Sequence, residues 1–121
     1  MFALGLIEEC LESKQVLEVL KPYFISQRIE NVPEDTCPVW HTNEYHIDAV
    51  HMPDILELLK NNIKPTWYIH AFNEEILYVV LRGKWFTLPL YKDSTWEEMI
   101  AYGVDTAQVE RRYLENIPLH V

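Results

Sequence analysis

Apolar positions along this chain recur with two different periods, and each predicts an element. Leu4, Ile7, Leu11, Val16, Leu17 and Leu20 follow roughly helical spacing, with Glu8, Glu9, Glu12 and Lys14 between them. One apolar stripe on a polar background predicts an amphipathic helix over residues 3–20, with a break near Ser13 and a stop at Pro22. Residues 23–29 alternate loosely and fit either a strand or a continuation of that helix. Residues 31–38, with two prolines, Glu34 and Asp35, read as a loop. From Val39 to Val50 the period changes: Tyr45, Ile47 and Ala49 alternate with Glu44, His46 and Asp48, the mark of a half-exposed strand. Met52-Pro53-Asp54 then opens a helix, Ile55, Leu56, Leu58 and Leu59 supply its buried face, and Asn61-Asn62 end it near Pro65.

The second half carries sharper signals. Thr66 to Phe72 is a strand by composition, closed by Asn73-Glu74-Glu75, and Ile76 to Leu81 is the strongest strand in the chain. Arg82-Gly83-Lys84 makes a tight turn in which Gly tolerates positive φ, and Trp85 to Leu90 returns. Short turns require antiparallel neighbours, so these strands form a meander. Ser94 with Glu97, or Thr95 with Glu98, fits a capping box at the start of a helix that Gly103 stops in a left-handed position. Thr106 caps a last helix carrying Val109, Tyr113 and Leu114, which ends before Pro118. The expected fold is α+β: an antiparallel β-meander of three to five strands packed by three or four helices. Repeats, low-complexity tracts and linkers are absent, so residues 1–121 form a single domain.

Trp67, Tyr68 and His70, then Val79 and Val80, then Gly83, Lys84 and Phe86, then Ser94, Thr95, Trp96, Glu97, Tyr102 and Gly103 form a recognisable pattern. Over residues 64–105 the chain resembles a group of small uncharacterised bacterial proteins. The resemblance implies a bacterial small-protein background and no known activity. The amino-terminal half takes no part in it.

Charge narrows the classes of function. The chain has 10 Lys and Arg against 19 Asp and Glu, a formal net charge of −9. Phosphate-driven nucleic-acid binding and docking on anionic membranes are disfavoured, because both rest on basic side chains. The acidity is uneven: residues 1–60 carry 4 basic and 11 acidic residues, net −7, and residues 61–121 carry 6 and 8, net −2. An acidic half suits capture of a basic protein partner, and acidity alone also keeps a small domain soluble. Cys10 and Cys37 are too few for a disulfide scaffold, the start has no basic leader, and no apolar run spans a bilayer. The expected setting is the cytoplasm, with reduced thiols.

Candidate chemistry is sparse. Cys37, His41, His46 and His51 are weak metal-ligand candidates, but they lack the paired-cysteine knuckle of a zinc finger or ribbon. His46 and Asp48, two apart on a strand, are a candidate acid/base pair, as is either with Glu44. No activated nucleophile or phosphate-cradling glycine loop is present, so no catalytic residue is assigned, no cofactor is implied, and the balance leans away from an enzyme. In the meander both strand faces are apolar, which calls for helices on both sides, a pocket or a homodimer interface. Tyr68, His70, Trp85 and Tyr91 form the aromatic wall expected of a pocket or partner surface. The leading expectation is a non-enzymatic interaction, inhibitor or regulatory protein with a basic partner. The alternatives are a small metal-binding protein or enzyme using His41, His46, Asp48 and His51, and a homodimer.

Overall fold

Residues 2–7 carry apolar side chains on both faces of an extended backbone, and they form a strand rather than the start of a helix. The computed structural model describes residues 1–121. Its strands are β1 (Phe2–Ile7), β2 (Phe24–Asn31), β3 (Val39–Ile47), β4 (Ile69–Phe72), β5 (Ile76–Leu81) and β6 (Lys84–Pro89). Its helices are α1 (Val16–Leu20), α2 (Met52–Lys60), α3 (Ser94–Asp105) and α4 (Arg111–Glu115), with short 3-10 turns at Glu8–Cys10, Lys21–Tyr23 and Ala49–His51. The strands form one sheet in the order β2-β3-β1-β4-β5-β6, and every pairing is antiparallel. The α+β class holds, with six strands where three to five were expected; β1 is the one the helical reading concealed. A central strand buried on both sides reads as a continuous apolar run, which mimics a helical stripe when its residues fall three and four apart. Of the expected helix over residues 3–20, only Val16–Leu20 is α-helical. The ambiguous stretch 23–29 is largely strand, as β2.

Register assigns each side chain to a face. Leu4 pairs with Tyr45 and Ala71, and Ala71 with Tyr78, so these residues share one face. With Phe2, Leu6, Ile47, Ile69 and Val80 they pack against α1 and α2 as the larger core. On the opposite face Leu77, Val79 and Leu88 pack against Trp96, Met99 and Ile100 of α3 and Leu114 of α4. No residue of β1, β2 or β3 belongs to this second core. The extra apolar face of the meander is therefore covered by α3 and α4, and a second copy is not needed to cover it.

The ends of α3 differ from expectation. Its N-cap is Asp93, whose carboxylate accepts the Thr95 N–H at 2.9 Å and the Thr95 hydroxyl. Gly103 lies inside the helix rather than ending it, and its lack of a Cβ makes room for the Leu114 side chain of α4. Thr106 ends α3 instead of starting α4, which begins after Glu110. Gly83 does have the expected positive φ, at 88°. Leu4→Ala is expected to cost about 2–5 kcal/mol, as for other fully buried leucines. Chemical denaturation checks this, and a loss below about 1 kcal/mol would be that of a surface position.

Candidate functional site

Helices cover the second face only over β4–β6, and the same face of β1, β3 and β2 carries no helix. The segment after α3 overhangs that floor, and the two enclose a cleft of about 1130 Å³. Its floor presents Gly5, Arg28, Glu30, Trp40 and Thr42, and its walls include Tyr68, His70, Gln108, Glu110, Arg112 and Tyr113. The floor is cross-braced: Glu30 accepts the Arg28 Nε–H at 3.1 Å and the Thr42 hydroxyl at 2.8 Å. The Trp40 indole N–H donates to the Cys37 carbonyl at 2.8 Å, and its ring meets Trp67 edge-on at 5.4 Å. Those contacts fix the orientation of the aromatic part of the floor.

His70 is the one buried ionisable side chain at the cleft, 8% exposed. It lies directly over Gly5, where a Cβ would sit 2.9 Å from the imidazole Cε1, so only glycine permits the approach. Phe72 stacks on one side of the ring at 5.7 Å, and Tyr68 approaches edge-on at 6.1 Å. Nε2 lies 3.1 Å from the His120 carbonyl oxygen. A carbonyl only accepts, so Nε2 carries the hydrogen and Nδ1 of the neutral ring keeps its lone pair without a protein partner. Burial pulls the His70 pKa below 6.5, and the His120 carbonyl opposes that only in part. Burial likewise raises the phenol of Tyr68. At neutral pH the site therefore offers an uncharged ring acceptor beside a protonated hydroxyl.

The histidines expected to cluster are dispersed. His41 and His46 lie an odd number of residues apart on β3 and so face opposite sides of the sheet. The His41 Nδ1 meets Glu9 at 2.6 Å. Burial alone would raise the Glu9 carboxyl, but the His41 backbone N–H and ring outweigh it and hold the group below its usual value. His46 Nε2 pairs with Glu44 at 2.7 Å rather than with Asp48, which is exposed and unpaired beyond the end of β3. His51 is exposed beside Tyr23, and Cys37 sits in the β2–β3 loop. Nowhere do three His, Cys, Asp or Glu side chains converge closely enough to hold a metal ion.

The aromatic wall divides in the same way. Tyr68 and His70 share the cleft, whereas Trp85 pairs with Val80 on the opposite face and donates its indole N–H to Glu57 of α2 at 3.0 Å. The two-residue turn sets Leu81 opposite Lys84, and that register turns Trp85 away from His70. Tyr91 stands exposed beyond β6. Arg28, Glu30, Trp40 and Thr42 were not among the expected site residues. For Thr42 the signal was the polar side of the 39–47 strand, which marks a sheet face without helices, whereas Arg28 and Glu30 lie on β2, in the stretch whose period left strand and helix open. Gln108, at φ 61°, and the overhang it belongs to carry no comparable signal.

Comparison with known proteins yields no match: no family model, no curated protein and no solved structure matches the chain. An NMR titration of the His70 ring is expected to give a midpoint below 6.5. Because the folded state holds this proton less tightly than the unfolded chain, His70 favours folding fully above about pH 6.5, and that contribution declines as pH falls below it. A midpoint at or above 6.5 would mean that the ring is not desolvated.

Proposed function

We propose that the protein is a non-enzymatic interaction module, of inhibitor or regulatory type, that holds a cationic segment of a protein partner in this cleft. The observation that carries the reading is the helix-free floor of β1, β3 and β2 beneath an overhanging segment, lined by aromatic rings and carboxylates. Those three strands all belong to residues 1–60, the half with net charge −7. Glu9, Glu30, Glu34, Asp35 and Glu110 line the cleft against Lys14, Arg28, Lys64 and Arg112. Local charge is thus nearly balanced, and the long-range field of the acidic half supplies attraction while the cleft supplies fit. Trp40, Trp67 and Tyr68 offer faces on which a guanidinium or ammonium group can stack. Tyr68 and His70 add a hydroxyl and a ring acceptor for a partner's N–H groups.

The free thiols of Cys10 and Cys37 suit a cytoplasmic setting, and no helix is long and apolar enough to cross a membrane. The alternative built on His41, His46, Asp48 and His51 draws no support from their placement on opposite sheet faces and in separate loops. Selection of peptides from a random library on the immobilised protein tests the proposal. Selected sequences are expected to be enriched in Lys and Arg, to weaken at high salt, and to lose about tenfold or more in affinity to the Trp40→Ala variant, the loss of a buried aromatic contact. Selection without basic enrichment, or binding indifferent to Trp40→Ala, overturns it.

A further inference from the structure

The two edges of the sheet are guarded very differently. At β6, Lys84 opens the strand and Pro89 closes it, and both discourage a further strand. At β2, seven of the eight residues are exposed, among them Phe24 at 47%, Ile25 at 51% and Ile29 at 62%. Its outward hydrogen-bonding groups can be identified. The Val32 N–H donates to the Pro38 carbonyl at 2.7 Å, which makes that pair a hydrogen-bonded one in the β2–β3 ladder. Alternation then turns the backbone groups of Ser26, Arg28 and Glu30 toward β3 and those of Gln27, Ile29 and Asn31 outward. His41, opposite Ile29, shows the same phase, because its N–H points away from β2 to Glu9 at 2.7 Å.

The geometry points to a second copy of this chain as the occupant of that edge, paired antiparallel about a two-fold axis at Ile29. In this register Ile29 exchanges backbone hydrogen bonds with Ile29 of the second copy, and Gln27 does so with Asn31, using the groups that face outward. Arg28 falls opposite Glu30 of the second copy, and Glu30 opposite its Arg28, in non-hydrogen-bonded positions where facing side chains come closest. The arrangement converts the existing Arg28–Glu30 pair, at 3.1 Å, into a ring of alternating charges. Neighbouring registers are worse. An axis at Arg28 sets two arginines face to face and mismatches the backbone phase. An axis at Gln27 draws in the bulge between Phe24 and Ser26, and one at Asn31 sets Ile29 against Pro33, which has no N–H. Edge pairing makes one continuous sheet and sets the two cleft floors side by side across the axis. The pairing rests on the edge and not on the cleft, so failure of either reading leaves the other standing.

A single strand pair buries less than a standard stable interface of roughly 1,600 Å², so the dimer is reversible. Sedimentation equilibrium up to about 1 mM, the weak end of measurable association, is expected to show the mass rising with concentration from 14.4 kDa toward twice that value. Arg28→Glu alone and Glu30→Arg alone each set like charges opposite one another, and each is expected to remain monomeric over the same range. Mixed in equal amounts, the two variants supply each other's missing charges and are expected to associate again, which a merely unfolded variant would not do. A monomeric wild type, single variants that dimerise as the wild type does, or a mixture that stays monomeric would each overturn the pairing.

Discussion

The sheet is continuous only because β1 stands between two units that never touch through hydrogen bonds of their own. The β2–β3 hairpin and the β4–β6 meander each pair locally, and β1 supplies both inner edges with a partner. Its six residues must therefore satisfy backbone groups on two sides while burying Phe2, Leu4 and Leu6 in the larger core. Every later feature inherits that constraint. Gly5 gives His70 its seat, Leu4 and Leu6 lie beneath α1 and α2, and the turn at Glu8–Cys10 carries the carboxylates that fix His41 and Asn43.

The two faces of the sheet resolve the same problem differently. On the side of the larger core the helices α1 and α2 cover a long apolar strip. On the other, α3 and α4 cover only the meander, and the acidic half-sheet is left with polar floor residues that hydrogen-bond among themselves. Arg28 and Glu30 can face water as an ion pair, and the buried Thr42 hydroxyl is satisfied by donating to Glu30, whereas Leu77, Val79 and Leu88 have no such partners and need cover. Uneven covering, not an added loop, is what makes a cleft.

Where local chemistry decides the structure, the chain is legible. Ile76–Leu81, the Gly83 turn and the helix opened by Met52-Pro53-Asp54 depend on neighbours in sequence, and they stand where the pattern puts them. Residues 2–7 do not, because the two strands that enclose them begin only at Val39 and Ile69, far along the chain. Gly103 misleads for a related reason: its role is to let Leu114 approach, and that contact is invisible along the chain. Of the candidate site, Tyr68 and His70 were readable from strand alternation, but Trp85 was not, since its face follows from the register of a turn. The histidines near residue 46 look like a cluster only while the chain is a line; pleating sends them to opposite faces.

Cys10 ends the turn that follows β1, fully buried, and burial pushes its thiol up to about 12. A thiol that neither ionises nor meets solvent is chemically silent while the fold is shut. Cys37, in the β2–β3 loop, has partial access to solvent. The two sulfurs thus differ in access by their place in the fold: one lies in a loop at the sheet's edge, and the other is sealed in the core behind the strand on which the whole sheet is joined.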